Sequence, residues 1–467
     1  MTFHTLRARG ITVTLDLTVG HIRSMSVVRD GRDTALLHTA PWIDEASVGA
    51  DDPIPAHLRR LSGDFFCAPF AASDIDDGPP HGWTANGEWT HIDTRAVQGG
   101  VTARYRLGRA VMGAAVEKRF KLLDGHPFLY QTHVFVGGNG CLPVANHAMV
   151  RLPSGGRLAF SRKSTCETPD APIEPDPARG RSHLAYPAQS RDPARFPTAA
   201  GGLVDLTHYP VAQGHEDVVM LVEERGSPLG WLAVSRAVER DAFISLKNPD
   251  EFPTTVLWFS NGGRHYRPWD GRHAGVLGVE EACAFSVHGH RASIAPNALS
   301  DRGIATSVTL DPLGSVSARN VIGFLSLPGD GSSISDVAVG TESLVVRHEN
   351  GTEVEVQFDP AFLASADRST LADLAEDGDG GLARGGERPR RRSRTLAPPR
   401  AHAELGHRSI AALRRAHCGR TGPALTVVSA RHRNSSRPDE TDEVEHRRLR
   451  QQDGDPVPAV EQGHRER

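Results

Sequence analysis

Residues 101–136, VTARYRLGRAVMGAAVEKRFKLLDGHPFLYQTHVFV, carry the reading that decides the fold. Val101 to Leu107, Ala115 to Leu122 and Phe128 to Val136 alternate apolar and polar side chains with a period of two. Asp124-Gly125 supplies a tight turn between the last two, so the segment is predicted to be antiparallel β. Working outward toward the N-terminus, Ile11-Thr12-Val13-Thr14-Leu15-Asp16-Leu17 alternates in the same way and Gly20 breaks it. Ile22 to Val28 resumes the pattern before Asp30-Gly31, which reads as an opening hairpin. Ala40-Pro41-Trp42 and the stretch from Asp51 to Pro55 read as loops laid over the sheets. Toward the C-terminus, strands are expected at Val218 to Glu223, Trp231 to Ser235, Ala242 to Leu246, Thr254 to Phe259, Ile304 to Leu310, Val321 to Leu325, Ser343 to Arg347 and Glu353 to Phe358. Residues 166–202, rich in Pro, Asp and Ala, read as a loop covering one end of the sheets, with no chemistry assigned to it. No long amphipathic helix is evident before residue 364, so the expected class is all-β.

The 467 residues leave room for several average domains, but large β sandwiches reach this size as single units. The net charge is −4, with 57 acidic against 53 basic residues, nearly all of them Arg. No strong field is offered to nucleic acid or an anionic membrane. Cys67, Cys141, Cys166, Cys283 and Cys418 are odd in number and widely spaced, which speaks against a zinc site or a disulfide framework and fits a reducing cytosol. The N-terminus lacks the apolar core of a signal peptide, and no run approaches the ~20 apolar residues of a spanning helix. The expectation is a cytoplasmic protein. From Ala364 to Arg467 there is no Phe, Tyr, Trp or Lys, and the segment carries EDGDGG and ERPRRRSR. Such composition cannot offset ordering entropy, so residues 1–363 are expected to form the domain and 364–467 a mostly disordered tail. Short helices are expected there near Leu371 to Glu376 and Ile410 to Ala416. The charge run Arg388 to Arg394 reads as solvated.

Three stretches concentrate side chains suited to binding and proton transfer. In Trp258 to Phe285, the flat faces of Trp258, Tyr266 and Trp269 suit the apolar face of a sugar ring, while Asn261, Arg264, His265 and His273 can donate to hydroxyls. Glu280 follows the apolar run Val276-Leu277-Gly278-Val279, which would carry a carboxylate into a half-buried position. Taken alone, that stretch is better explained by core packing of the aromatics and a solvated Glu280 paired with an Arg. In Gly63 to Trp89, Pro79-Pro80 stiffens the approach to His81 and Gly82 permits a tight reversal, so the imidazole is presented from a defined loop. In Cys141 to Val150, Asn146 and His147 sit in an apolar, strand-like segment, where a half-buried His needs a partner or a task.

Taken together, His81-Gly82, Trp89, His147, Trp258 and Gly278-Val279-Glu280 resemble the galactose mutarotase-like (aldose 1-epimerase) superfamily. His38-Thr39-Ala40-Pro41-Trp42 and Leu246-Lys247-Asn248-Pro249 resemble its bacterial members, and the resemblance covers residues 5–363. It implies a large antiparallel β-supersandwich with a cleft across one sheet, no metal and no cofactor. It also implies a His/Glu pair that opens and recloses a sugar hemiacetal. In that reading Glu280 is the base, His147 the acid, and His81 polarises a neighbouring oxygen, with acid and base on opposite sides of the hemiacetal. Asn146, Trp89, Trp258, Arg264 and Trp269 are the expected substrate contacts. The implied partner is a small-molecule sugar, bound by a monomer or homodimer.

Two departures from the family pattern stand out. Trp83-Thr84-Ala85-Asn86 follows His81-Gly82 where many epimerases carry an Arg, and Glu281 follows Glu280 where many carry a Pro. Strand alternation lets only one of the two glutamates face a cleft, and the motif register selects Glu280. No phosphate loop, dinucleotide fingerprint, H-E-x-x-H or G-x-S-x-G elbow is present, and His288-Gly289-His290 reads as a solvated turn. The alternatives are a non-catalytic carbohydrate-binding protein on the same fold, or a sugar-active lyase or hydrolase, the last wanting a second carboxylate.

Overall fold

Period-two alternation builds two large antiparallel sheets in this computed structural model, which describes residues 3–29, 31–49 and 52–364. From residue 365 onward, the expected tail lies outside the described residues. One sheet has nine strands, and Trp89–Val97, Gly100–Leu107, Ala114–Leu123 and Phe128–Gly137 stand side by side along one half of it. Ser315–Ser326, Asp241–Lys247, Gly230–Arg236, Gly156–Phe160 and His208–Tyr209 complete it. The other sheet has seven strands, in the order Gln189–Ser190, Lys163–Glu167, His215–Glu223, Thr254–Asn261, Val276–Cys283, Val144–Arg151 and Asp64–Cys67. The expected opening hairpin is present as Ile11–Asp16 and His21–Arg29, preceded by an edge strand, Phe3–Ala8, that its sequence does not announce.

The two sheets share one core. Ala148, Val219 and Val279 of the seven-stranded sheet belong to the same buried cluster as Phe120, Leu129 and Phe243 of the nine-stranded one. The far face of the nine-stranded sheet is apolar through Tyr130, Ile244 and Val321, which cluster with Leu344, Val346 and Val356 of a three-stranded sheet. The far face of the seven-stranded sheet carries Phe65, Met149, Val218 and Trp258, joined there by Trp42, Phe70 and Trp269 from loops. Burial on both faces makes the central strands continuously apolar or paired. Among the described residues no helix is long and apolar enough to cross a membrane.

Charge is also buried between the sheets. The chain has four lysines, and Lys118, Lys163 and Lys247 have their ammonium groups inside. Lys247 Nζ, on the nine-stranded sheet, lies 2.6 Å from Glu281 Oε2 and 3.1 Å from Glu223 Oε1, both on the seven-stranded sheet. It donates to the Thr254 carbonyl at 2.7 Å, while Thr255 Oγ1 donates to Glu281 Oε2 at 2.7 Å. Lys163 pairs with the same Glu223, which also accepts from Ser161 Oγ at 2.9 Å. Burial would push the Glu223 carboxyl up, but Lys247 and Lys163 hold it below its ordinary value. With its partners supplied, the network can remain ionised without water.

Candidate functional site

The site is set by register. Val144–Arg151 lies between Val276–Cys283 and Asp64–Cys67, and His147 stands directly opposite Glu280 on one side and Phe65 on the other. Residues opposite one another in antiparallel strands share a face, so the imidazole, the carboxyl and the phenyl ring converge on the far face of the seven-stranded sheet. His147 Nε2 lies 3.3 Å from Glu280 Oε1, with both side chains buried. Phe65 stacks on the His147 ring at 4.5 Å between centroids. The His147 backbone N–H donates to Asp64 Oδ1 at 3.0 Å, and Gln131 Nε2 of the nine-stranded sheet donates to the other oxygen of that carboxyl at 2.6 Å. Glu281, one residue beyond Glu280, points the other way into the Lys247 network.

Gly278 makes room for this arrangement. A Cβ at that position would lie 2.9 Å from Trp258 Cβ and 3.0 Å from Glu280 Oε1, so only glycine leaves both groups where they are. His81 is held by its backbone, with φ of 63° and its N–H donating to the Ala71 carbonyl at 2.7 Å. Gly82, with φ of 69°, could not be replaced without displacement, because a Cβ there would fall 1.9 Å from the Ala68 oxygen. The His81 ring meets His147 edge-on at 5.6 Å and His57 at 5.1 Å. The Nδ1 atoms of His81 and His147 are buried with no protein partner.

The cleft above this floor offers about 170 Å³ of accessible volume and is open to solvent. His57, His81, His147, Arg264 and Glu280 supply its polar lining; the aromatic lining comes from Phe65, Phe70, Trp258 and Trp269. Burial pushes Glu280 up to about 8 and His147 down to about 3. It also lowers His57 to about 4 and His81 well below the ordinary histidine value. At neutral pH the pair therefore rests as a protonated carboxyl beside an uncharged imidazole. Arg264 lies over Trp269 at 4.3 Å and beside Trp258 at 5.7 Å, a stacked guanidinium with its fork available.

Six of the residues singled out in the sequence thus share one cleft: His81, His147, Glu280, Trp258, Arg264 and Trp269. Trp89 and Asn146 do not line it. Trp89 is buried in the core between the sheets, where its Nε1–H donates to the Thr84 carbonyl at 3.2 Å and Lys118 Nζ sits 4.8 Å above its ring. Asn146, next to His147 in the strand, points to the opposite face and is buried there without a partner for its amide. Asn261 ties loops together, donating to the Ala212 carbonyl at 2.8 Å. His273 stacks behind Trp258 at 5.1 Å.

Two residues of the site carry no clear sequence signal. His57 lines the cleft from a single helical turn, Ala56–Arg59, and its Nδ1 lies 3.0 Å from Asn86 Oδ1. Glu216 lies behind Trp258 and accepts from Trp258 Nε1 and, at 3.0 Å, from Ser260 Oγ. Arg264 Nε is 3.8 Å from the Glu216 carboxyl, which burial pushes upward despite that cation and those two donors.

No family model matches the chain, and a search of curated proteins finds no match. Among solved structures, a candidate aldose 1-epimerase of Escherichia coli K12 is similar at 15% identity and a TM-score of 0.47, covering 70% of this chain and 99% of its own. A galactose mutarotase-like protein of Lactobacillus casei is similar at 11% identity and a TM-score of 0.44, covering 69% of this chain and 100% of its own. A galactose mutarotase related enzyme of Lactobacillus acidophilus is similar at 13% identity and a TM-score of 0.43, covering 70% and 99%. Other solved structures it is similar to include a TPR-domain containing protein of Parabacteroides distasonis, at 12% identity and a TM-score of 0.44, covering 69% of this chain and 47% of its own.

Proposed function

We propose that the cleft binds a sugar and that His147 and Glu280 interconvert its anomers by opening and reclosing the hemiacetal. One observation carries this reading: a buried imidazole–carboxyl pair, 3.3 Å apart, at the floor of an aromatic-lined cleft. Opening a hemiacetal removes the proton of the anomeric hydroxyl and delivers one to the ring oxygen. The sequence leads one to expect acid and base on opposite sides of the ring; His147 and Glu280 stand side by side. Both oxygens are borne by the same carbon, so adjacent groups reach them together.

Burial favours the arrangement with the proton on Glu280 and none extra on His147. For Glu280 to act as base and His147 as acid, the proton passes across their contact as the sugar binds. The Glu280 carboxylate then accepts the anomeric hydroxyl proton while His147 protonates the ring oxygen, and the pair returns to its uncharged form. After rotation about the bond between C1 and C2 of the open chain, the steps run backwards on the other face. In this reading His81 and Arg264 bind the neighbouring oxygens, and Trp258 and Trp269 pack on the ring. Each of the two proton-transfer groups contributes a factor of about 10² to 10⁴. A hydrolase would want a second free carboxylate, and both oxygens of Glu216 are already occupied.

Saturation-transfer NMR of anomer exchange across a panel of aldoses tests the proposal, with wild type beside Glu280→Gln and His147→Ala. Acceleration by wild type and its loss in both variants are the expected result. Binding by all three proteins with no acceleration would instead identify a carbohydrate-binding protein.

A further inference from the structure

The polar floor of the cleft is roofed by apolar residues. Leu58 and Leu61 flank the end of the Ala56–Arg59 turn, Ile173 arrives from the connection between Lys163–Glu167 and Gln189–Ser190, and Ala71, Val218 and Val287 also line the cleft. Among the described lining residues, Arg264 is the sole cation, and it faces the Glu216 carboxyl at 3.8 Å. The arginines flanking Trp269 in sequence are committed elsewhere: Arg267 pairs with Asp52, and Arg272 with Glu45 at 2.6 Å. Arg179, stacked on Tyr266, pairs with Glu174 at 3.2 Å. A phosphate ester commonly calls for clustered cations, and among the described lining residues Arg264 stands alone, with the Glu216 carboxyl beside it.

Hydroxyl groups are under-served as well. A fully hydroxylated hexose offers an oxygen on every carbon. Once Glu280 and His147 have engaged the anomeric and ring oxygens, His57, His81 and Arg264 remain, and His57 Nδ1 is already committed to Asn86. A hydroxyl pressed against Leu58, Leu61 or Ile173 loses its water without gaining a partner, which costs about 1–3 kcal/mol.

Building on the sugar-binding reading above, we propose that the cleft selects an uncharged deoxy-sugar, with a methyl or methylene where common hexoses carry a hydroxyl, and rejects sugar phosphates. The apolar roof then contacts the carbon-rich edge of the ring while the floor performs the chemistry.

Calorimetric binding and anomer exchange of glucose, 6-deoxyglucose and glucose 6-phosphate test this. The expected order is 6-deoxyglucose above glucose by about tenfold, and glucose above its phosphate by about a hundredfold. Equal or better handling of the phosphate, or preference for glucose over 6-deoxyglucose, overturns the proposal. The two readings separate cleanly. Tighter binding of 6-deoxyglucose without exchange of any sugar upholds the selectivity and defeats the epimerase, whereas exchange with a preference for the phosphate does the reverse. Binding of none of the three defeats both. As a gain-of-function control, Ile173→Lys places a cation in the roof and should narrow the gap between glucose and its phosphate about tenfold; an unchanged ratio counts against the proposed roof.

Discussion

Glu280 and Glu281 are neighbours in one strand, and their replacement by Gln should act in opposite directions. Burial raises the Glu280 carboxyl from 4.5 to about 8. Because the folded value lies above the unfolded one, the native state binds the extra proton between pH 4.5 and 8, and stability falls as pH rises through that window. Each pH unit is worth about 1.4 kcal/mol, so by pH 7 the titration has cost wild type about 3 kcal/mol. A glutamine cannot ionise in either state. Glu280→Gln should therefore match wild type near pH 4.5, exceed it by about 3 kcal/mol at pH 7, and gain nothing further above pH 8, while losing anomer exchange. Glu281 has Lys247 Nζ at 2.6 Å and Thr255 Oγ1 at 2.7 Å. Glu281→Gln removes one partner of a buried ion pair, and with Glu223 still beside Lys247 the loss should be near the low end of such cases, about 3 kcal/mol. Urea unfolding of the three proteins at pH 4.5, 6, 7 and 8 separates these effects. A Glu280→Gln advantage that does not change with pH, or a Glu281→Gln protein as stable as wild type at pH 7, would refute the assignment of faces and charges.

Three further outcomes follow from the site geometry. Gly278→Ala should retain the fold by circular dichroism yet slow exchange about tenfold or more, since its Cβ would press on Trp258 and Glu280. The rate should hold between about pH 3 and 8, where the carboxyl stays protonated beside an uncharged imidazole, so a pH profile with a limb at ordinary histidine pH would contradict the buried pair. Asp64→Ala removes the acceptor of the His147 N–H and of Gln131, and should destabilise the protein by about 2–3 kcal/mol in denaturant titration and lower the exchange rate.

Alternation makes much of the architecture legible in the sequence. The strands within residues 101–136 extend by only a residue or so beyond their sequence bounds, because each has one face in the core. Phe3–Ala8 escapes notice because only Leu6 of that edge strand is buried. Glu216 escapes for a related reason: the apolar run starts the expected strand at Val218, whereas all nine residues of His215–Glu223 are buried in a strand covered on both faces. The choice between Glu280 and Glu281 needs only the strand period plus knowledge of which face is the cleft. Which face Asn146 would take, and that Trp89 would pack against Gly20 rather than a ligand, depends on register and on distant chain, neither of which is written locally.

The burial of three of the four lysines has a practical consequence for handling the protein. Amine-directed reagents find the ammonium groups of Lys118, Lys163 and Lys247 enclosed, while the Lys121 side chain is 32% exposed and held by Asp359 at 2.9 Å. Of the four lysines, an activated ester should therefore attach to the folded chain at Lys121. Lys121→Arg would then leave the folded chain with no lysine open to such a reagent. Appearance of label on the remaining lysines would report opening of the sandwich itself.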